Sequence, residues 1–209
     1  MQRNVISKVK SAALVKERRS QILQAAVDVF LEKSYHTATI EDVAARVGMS
    51  QGAIYTYVQS KDDILYLICE ENIASYEEAL REALDGVSDP EERLMATIRA
   101  TVETMYEKRL TTLLVYREAH TLSSQSIKAV LSLADSFISR VKDVLAESME
   151  RELIPKTNPR LVANIVTYLP SVMVIREWNF RGRVLKRQMI EEVVQFTLRG
   201  IGFTARHNA

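Results

Sequence analysis

Side chains able to donate hydrogen bonds to phosphate oxygens recur at close spacing between residues 39 and 61. Tyr55 and Tyr57 supply phenol hydroxyls, and Lys61 supplies an ammonium group. Thr39 and Ser50 add aliphatic hydroxyls. Beside a helix that lies in a DNA groove, such groups set the register of a protein without reading base sequence. Gln51, Gly52 and Ala53 lie between the hydroxyl-bearing positions and are short, polar or nearly without a side chain. Such residues suit the N-terminal end of a helix that enters the major groove, because bulk there would hold the helix away from the base edges.

The elements that must position these groups are predicted to be two short helices joined by a tight turn. Thr39 is a side-chain N-cap, and Asp42, three residues on, accepts from the capped end. Gly48 ends the first helix in the left-handed conformation that a sharp turn needs, and Ser50 caps the second helix. The apolar stripe of the first helix has helical spacing and consists of Ile40, Val43, Ala44 and Val47. This pattern indicates a helix-turn-helix.

A further helix is predicted on each side of this pair. Between Arg18 and Tyr35, apolar residues recur at three- and four-residue steps and predict a first helix that braces the other two. Ser60 and the acids after Lys61 predict the start of a long helix that reaches about Leu84. The first helix and the pair therefore form a three-helix module of roughly 45 residues.

Three motifs stand in fixed register within residues 18–65, just under a quarter of the chain. They are Arg19-x-x-Ile22-Leu23-x-Ala25-Ala26-x-x-Val29-Phe30, Thr39-Ile40-x-Asp42-Val43-Ala44, and Gly48-x-Ser50-x-Gly52-x-Ile54-Tyr55-x-Tyr57 followed by Ser60-Lys61. Together they resemble the N-terminal domain of the tetracycline-repressor (TetR) family. Two positions depart from the usual pattern: Ser34 stands where the family has Gly, and Val58 where it has Phe. We interpret both as packing variations.

The resemblance implies a homodimeric repressor that binds a palindromic double-stranded operator and is released by a small-molecule inducer. An activator, or a DNA-binding adaptor that needs no ligand, is the alternative. By the same resemblance, the hydroxyls of Thr39 and Ser50 contact phosphate. The bases are approached by Gln51, Gly52 and Ala53. For Tyr55 a place in the core of the module is the competing interpretation.

Composition favours an all-α chain. Only 6 Gly and 4 Pro occur, no alternating strand pattern is present, and the 47% hydrophobic content is enough for a packed core. We expect a basic extension at residues 1–17, the helix-turn-helix domain at 18–62, and a helical ligand-binding and dimerisation domain at 63–209. Residues 1–61 contain nine Lys or Arg and five acids, which gives this segment a net charge of +4. Because the net charge of the whole chain is +1, the remaining residues carry a net charge of −3. A basic head on a mildly acidic body fits phosphate binding, although a merely solvated basic tail also fits residues 1–17.

Other function classes lack their signals. The three histidines have no metal-ligand spacing, and no phosphate loop, nucleophile elbow or carboxylate pair occurs, so we expect no enzyme activity, metal or cofactor. The single Cys69 allows no disulfide within the chain, which suits a reducing compartment. No apolar run reaches 18 residues, and no signal core follows the N-terminal charges. We therefore expect a cytoplasmic protein that does not enter membranes.

The body is predicted to be a series of helices. A break at Gly86–Pro90 is followed by a helix to about Lys108, one or two short helices from Leu110 to Leu122, and a long one from Ser123 to about Glu150. The last two run from about Pro159 to Phe180, with a kink or a local opening at Pro170, and from Val184 to Gly202. Both are apolar over more than one stripe. Such helices are wholly buried in one subunit or shared with a partner, and in the resembled family they pair with their copies.

An inducer pocket between the middle helices is also implied by the resemblance. The stretches Tyr116-Arg117-Glu118 and Arg176-Glu177-Trp178 look similar to branches of the family that answer to acyl-CoA thioesters, and an arginine at the pocket mouth can pair with phosphate or carboxylate. For each candidate, a place in the core or on the surface is the alternative. The candidates are Met105, Arg117, His120, Phe137, Tyr168, Met173, Arg176 and Trp178.

Overall fold

A computed structural model of the chain describes residues 3–8 and 11–205. Every regular element in these ranges is helical, which confirms the all-α prediction. None of the described helices is long and apolar enough to cross a membrane. The α-helices are α1 Ala12–Lys33, α2 Ile40–Val47, α3 Gln51–Ile54, α4 Lys61–Leu84, α5 Pro90–Glu107, α6 Arg109–Glu118, α7 Ser124–Glu150, α8 Pro159–Tyr168, α9 Val172–Ile175, α10 Glu177–Phe180 and α11 Lys186–Gly200.

The described residues form two compact units. The first contains those up to Asn72 together with Leu110–Leu133, and the second contains Ile73–Arg109 together with those from Ala134 onward. The first unit thus includes the helix-turn-helix, the start of α4, α6 and the start of α7. Each unit contains segments that are distant in sequence. The boundaries between the two packed units therefore fall at more places in the chain than the domain boundaries expected from sequence.

In the first unit, α1 packs against α2, and α2 against α3. The capping box at α2 forms as predicted, with Thr39 Oγ1 accepting from the Asp42 amide at 3.1 Å and the Asp42 carboxylate accepting from the Thr39 amide at 2.9 Å. Gly48 has a φ of 75°, the left-handed conformation that the turn requires. Ile22, Phe30, Val43 and Ile54 are fully buried and form the centre of this core.

Two features of the first helix differ from the sequence-based expectation. The helix begins at Ala12, because Ser11 caps it and the residues after the cap are good helix formers that need no apolar face. The helix ends at Ser34, whose φ is 67°. Glycine occupies left-handed conformations more readily than serine. The departure from the family pattern at Ser34 therefore concerns backbone conformation, and our interpretation of it as a packing variation is wrong.

In the second unit, α5 packs against α11 and α9. The predicted helix from Pro159 to Phe180 is not continuous: a 3₁₀ turn at Leu169–Ser171 follows α8, and the short α9 and α10 come next. Pro170 lies in that turn, where its ring and missing N–H prevent the regular α-helical hydrogen bonds. Tyr168, Leu169, Ser171 and Val172 keep right-handed helical φ and ψ, so the proline opens the helical run locally, which is one of the two predicted outcomes.

Candidate nucleic-acid interface

The N-terminal end of α3 is open to solvent. Ser50 Oγ accepts from the Ala53 amide at 3.2 Å and caps the helix, while Gln51 and Gly52 are exposed and Ala53 is half-buried. A methyl group built on Gly52 would meet no atom within 4 Å. Ile54, on the other side of α3, is fully buried and holds the helix to α2. This arrangement leaves the short residues free to approach a base edge.

Thr39 is exposed at the start of α2, and its hydroxyl donates to Asp42 Oδ2 at 2.9 Å. Lys33 Nζ lies 2.6 Å from Asp42 Oδ1. Hydrogen bonds from Lys33 and Thr39 lower the pKa of the Asp42 carboxyl to about 2. Lys33 thus offsets the negative charge beside the predicted phosphate contact of Thr39, and that contact stays a prediction.

Tyr55 and Tyr57 differ in exposure. Tyr55 is 38% exposed, whereas Tyr57 is 8% exposed, and its backbone carbonyl accepts from Arg19 Nε at 3.1 Å and Nη2 at 2.9 Å. Of the two, Tyr55 presents more surface to a ligand. Both phosphate contacts remain predictions, and for Tyr57 one requires the phenol to reach DNA from a largely buried ring.

The Lys61 ammonium is held inside the first unit. It donates to the backbone carbonyls of Tyr35 at 2.6 Å, Ala38 at 2.9 Å and His36 at 3.3 Å. It also lies 4.5 Å from the centre of the Tyr35 ring. The geometry therefore gives Lys61 a structural role in the loop before α2, alongside its predicted phosphate contact.

Sequence reasoning missed the part that residues 3–8 play in this unit. Val5 is buried, and Arg19 Nη2 donates to its carbonyl at 2.6 Å. Ser7 Oγ and the Lys8 amide both donate to the Thr56 carbonyl at 2.9 Å. This segment, here called the N-terminal arm, is packed against the residues that follow α3. Its composition predicted only a basic extension.

Several of the cations that make the N-terminal region basic are paired with acids. Arg46 Nη2 lies 2.6 Å from the Glu32 carboxylate, Lys33 is paired with Asp42, and Arg3 is paired with two carboxylates described below. A paired cation contributes little to a long-range attractive potential. The count of nine Lys or Arg in residues 1–61 therefore overstates the number of cations available to DNA phosphates.

Among the candidate ligand residues, Met105 and Phe137 both contact Tyr76 in the second unit. The Tyr76 hydroxyl donates to Met105 Sδ at 3.2 Å, and the rings of Tyr76 and Phe137 are 5.5 Å apart between centroids. Met173 is also buried, on α9, which packs against the helix that carries Met105. All three candidates are buried in the second unit.

The remaining candidates are on surfaces. Tyr168, Arg176 and Trp178 are exposed on the second unit, whereas Arg117 and His120 are exposed on the first. Their roles as ligand contacts remain predictions.

A buried hydroxyl that sequence reasoning did not single out lies on the same helix as Met105. Thr97 is fully buried, and its Oγ1 has no hydrogen-bond partner among the described residues. Thr101, one turn further along α5, donates its hydroxyl to the Thr97 carbonyl at 2.8 Å. An unpaired buried hydroxyl costs roughly 1–3 kcal/mol. Thr97 is thus a buried polar group in the second unit whose hydroxyl is unsatisfied among the described residues.

The described residues include no group of three or more His, Cys, Asp or Glu arranged to hold a metal ion. Burial raises the pKa of the Cys69 thiol to about 12, so this cysteine is an unreactive core residue.

Two family models match this chain. The model for bacterial regulatory proteins of the tetR family matches residues 22–66, and the model for the tetracyclin repressor-like C-terminal domain matches residues 87–201, more than half of the chain. The chain belongs to the tetR family. It is a DNA-binding transcriptional regulator, and the predicted helix-turn-helix is confirmed.

Individual relatives are distant in sequence. The HTH-type transcriptional regulator HbdR of Aromatoleum sp. is 29% identical over 191 residues, which cover 90% of this chain and 82% of HbdR. The HTH-type transcriptional activator FasR of Mycolicibacterium smegmatis is 25% identical over 186 residues, covering 88% of this chain and 83% of FasR. The crystal structure of AibR in complex with isovaleryl coenzyme A and operator DNA has a TM-score of 0.69 at 19% identity and covers 86% of this chain and 97% of AibR.

Proposed function

We propose that the protein is a homodimeric, ligand-responsive repressor that binds a pseudo-palindromic operator through the N-terminal end of α3. The observation that carries this proposal is the open end of α3, where exposed Gln51 and Gly52 follow the Ser50 cap while Ile54 anchors the helix from behind. In this proposal the short residues meet base edges, and hydroxyls, phenols and an ammonium group meet phosphates. The phosphate contacts are Thr39, Ser50, Tyr55, Tyr57 and Lys61. A regulator of chromosomal genes acts in the cytoplasm, where we place it.

Dimerisation is supported by large apolar side chains that are exposed on the last helices of the second unit. Large contiguous apolar surfaces on soluble proteins are commonly covered by a partner. A second copy of the same chain provides that cover in a two-fold dimer, which reads two half-sites of opposite orientation. The exposed side chains are Leu161, Ile165, Tyr168, Val172, Ile175, Trp178, Leu185 and Phe196.

For the ligand we propose an acyl-CoA thioester whose acyl chain enters the interior of the second unit near Met105, Phe137 and Met173. The buried and unpartnered hydroxyl of Thr97 supports a polar contact there, because a ligand carbonyl accepts the hydrogen bond that the protein leaves unmade. A distant structural relative, AibR, has been crystallised with isovaleryl coenzyme A and operator DNA.

Repression follows if the operator overlaps a promoter, since a bound dimer then excludes RNA polymerase. Activation is the second candidate, because the relative FasR is named as an activator. Both functions use the same DNA contacts, and only the position of the operator differs.

The experiment has two stages. Selection from a random duplex library with the purified chain is expected to yield a pseudo-palindromic consensus, and a chain that enriches no sequence contradicts the proposal. Calorimetry is then used to titrate acyl-CoA thioesters of increasing chain length into the protein, with and without the selected duplex. Coupling of roughly 1–3 kcal/mol predicts about 5- to 150-fold weaker ligand binding in the presence of operator. Equal affinity in both states contradicts induction by that ligand.

A further inference from the structure

Arg3 lies in a polar cluster that joins the N-terminal arm to the first turn of α4. Its Nη1 lies 3.0 Å from Asp62 Oδ2 and donates to Ser126 Oγ at 2.7 Å, and its Nη2 is hydrogen-bonded to Asp63. The guanidinium also lies over the ring of Tyr66, 5.2 Å from its centre. The Arg3 side chain is mostly buried, and two carboxylates offset its charge.

Asp62 is the centre of this cluster. Besides Arg3, its carboxylate accepts from the Ser126 hydroxyl at 2.6 Å, the Ser123 amide at 2.8 Å and the Ser123 hydroxyl at 3.2 Å. Ser123 directly precedes α7 and Ser126 lies in its first turn, so one carboxylate joins the arm, α4 and α7 within the first unit. The hydrogen bonds and the nearby Arg3 lower the pKa of the Asp62 carboxyl although partial burial opposes this, so it is ionised near neutral pH.

The other end of the arm contacts the residues that complete the recognition helix. Ser7 and Lys8 donate to the Thr56 carbonyl, and Arg19 bridges the carbonyls of Val5 and Tyr57. The carbonyls of Thr56 and Tyr57 belong to the turn that follows α3. Since α3 itself has only four residues, few internal hydrogen bonds fix its direction, and contacts at its C-terminal side have a large share in holding it.

We propose that Arg3, Asp62 and Asp63 form a positioning cluster: the N-terminal arm, fastened by Arg3, holds the recognition helix in the orientation that specific DNA requires. The arm's arginine acts inside the protein and does not contact DNA. This inference rests on the proposed function only in that α3 is the recognition element. It assigns a role in DNA binding to residues that have no DNA contact.

Two variants that change the charge of the head in opposite directions distinguish a positioning role of Arg3 from a direct contact between Arg3 and DNA. Arg3→Ala removes a positive charge, and Asp62→Asn removes a negative charge from the same head. If Arg3 contacts phosphate, Arg3→Ala weakens binding and lowers the slope of log K against log salt by about one, whereas Asp62→Asn strengthens binding. If the cluster positions α3, both variants weaken specific binding and leave the slope unchanged.

The probes are the duplex selected with the wild-type chain and a scrambled duplex of the same length. We expect each variant to lose about tenfold in affinity for the selected duplex, the worth of roughly one charge-assisted hydrogen bond, and much less for the scrambled one. A merely structural effect lowers the active fraction and reduces binding to both duplexes alike, so the ratio of the two affinities is the decisive measurement. Ser126→Ala, which removes one partner of both Arg3 and Asp62, is expected to give a smaller change in the same direction.

Lys16→Ala is the matched control, because Lys16 is an exposed cation of the same region. It is expected to change both affinities equally. Thermal unfolding of each variant verifies that binding is measured on folded protein. Opposite signs for Arg3→Ala and Asp62→Asn, or wild-type specificity ratios in both, overturn the proposal. Failure of the wild-type chain to select any duplex instead contradicts the proposed function, and the two failures are thereby distinguishable.

Discussion

The Lys61 ammonium lies 4.5 Å from the centre of the Tyr35 ring and donates to the Tyr35 backbone carbonyl at 2.6 Å. With the carbonyls of His36 and Ala38 it has three acceptors, which matches the three N–H groups of a lysine. The start of α4 is thereby tied to the loop that leads into α2. Lys61, which is predicted to contact phosphate, thus also stabilises the helix-turn-helix.

The first prediction concerns Lys61→Met, which keeps the aliphatic stem and removes the three donors. We expect the free energy of unfolding to fall by about 1–3 kcal/mol, because three carbonyls, two of them in part-buried hydrogen bonds, lose a charge-assisted donor. Urea denaturation measures this. Binding to selected and scrambled duplexes over a range of salt then shows whether a phosphate contact is lost too, since such a loss lowers the salt slope by about one. The exposed Lys16→Met is the control, and unchanged stability would contradict the structural role.

The second prediction concerns the recognition helix. Gly52→Ala places a methyl group where the protein has free space, and alanine favours a helix more than glycine does, so we expect the unfolding temperature to stay the same or rise slightly. If Gly52 approaches a base edge, the same methyl group weakens binding to the selected duplex and has little effect on a scrambled one. Gln51→Ala is expected to change the preferred base at one position in each half-site, by about 1–3 kcal/mol. Fluorescence anisotropy with single-base operator variants measures both. If both variants keep the wild-type affinity and base preference, the DNA interface does not include the N-terminal end of α3.

The third prediction concerns assembly. Ile165 is 53% exposed and Phe196 62% exposed, so Ile165→Glu or Phe196→Glu is expected to give folded monomers by placing a charge in the subunit interface. Val194, on the same helix as Phe196, is 2% exposed, and Val194→Glu is expected to unfold the second unit instead. Light scattering and circular dichroism distinguish these outcomes. Gln188→Glu, an exposed polar position on α11, is the control. A wild-type monomer at micromolar concentration would refute the dimer.

The comparison of Val194 with Phe196 shows what periodicity could predict and what it could not. A helix that is apolar over more than one stripe indicates two burial surfaces, but the sequence does not tell which stripe faces the subunit's own core. That depends on how α11 packs against α5, which is a tertiary contact. The helix-turn-helix was predictable because its caps, its glycine turn and its apolar stripes are all local signals.

The role of the N-terminal arm was not predictable for the same reason. Arg3 and Asp62 are 59 residues apart, and Arg3 and Ser126 are 123 apart. Nothing in the local sequence pairs them. Pro170 illustrates an intermediate case: the sequence predicted a disturbance of the helix at that residue, but whether a proline kinks a helix or opens it locally depends on the surrounding packing.

The fourth prediction concerns pH. The pKa of Asp42 falls from its ordinary value near 3.8 to about 2 on folding, so its carboxylate contributes stability above about pH 4, and this contribution is lost as the pH falls through about 2. We expect Asp42→Asn to be less stable than wild type at pH 7, with the difference shrinking between pH 4 and pH 2. Denaturation of both proteins over this range measures it. Lys33→Ala is expected to raise the pKa of Asp42, observable by NMR titration. A difference in stability that does not vary with pH would contradict this assignment.

The last prediction concerns Thr97, whose buried hydroxyl has no partner among the described residues. Thr97→Val replaces the hydroxyl with a methyl group of similar size, so we expect the ligand-free protein to become more stable by about 1 kcal/mol, because an unpaired buried polar group is removed. If the hydroxyl contacts an acyl-CoA ligand, the same variant binds that ligand more weakly, and a higher ligand concentration is needed to release the protein from the operator. Thr101→Val is the matched control, since its hydroxyl already donates to the Thr97 carbonyl at 2.8 Å and its removal is not expected to stabilise the fold. Urea denaturation measures the first effect and calorimetry with the acyl-CoA series the second. If Thr97→Val is more stable than wild type but binds every acyl-CoA with wild-type affinity, Thr97 is not part of the ligand site. One that is less stable would show that the hydroxyl already has a partner.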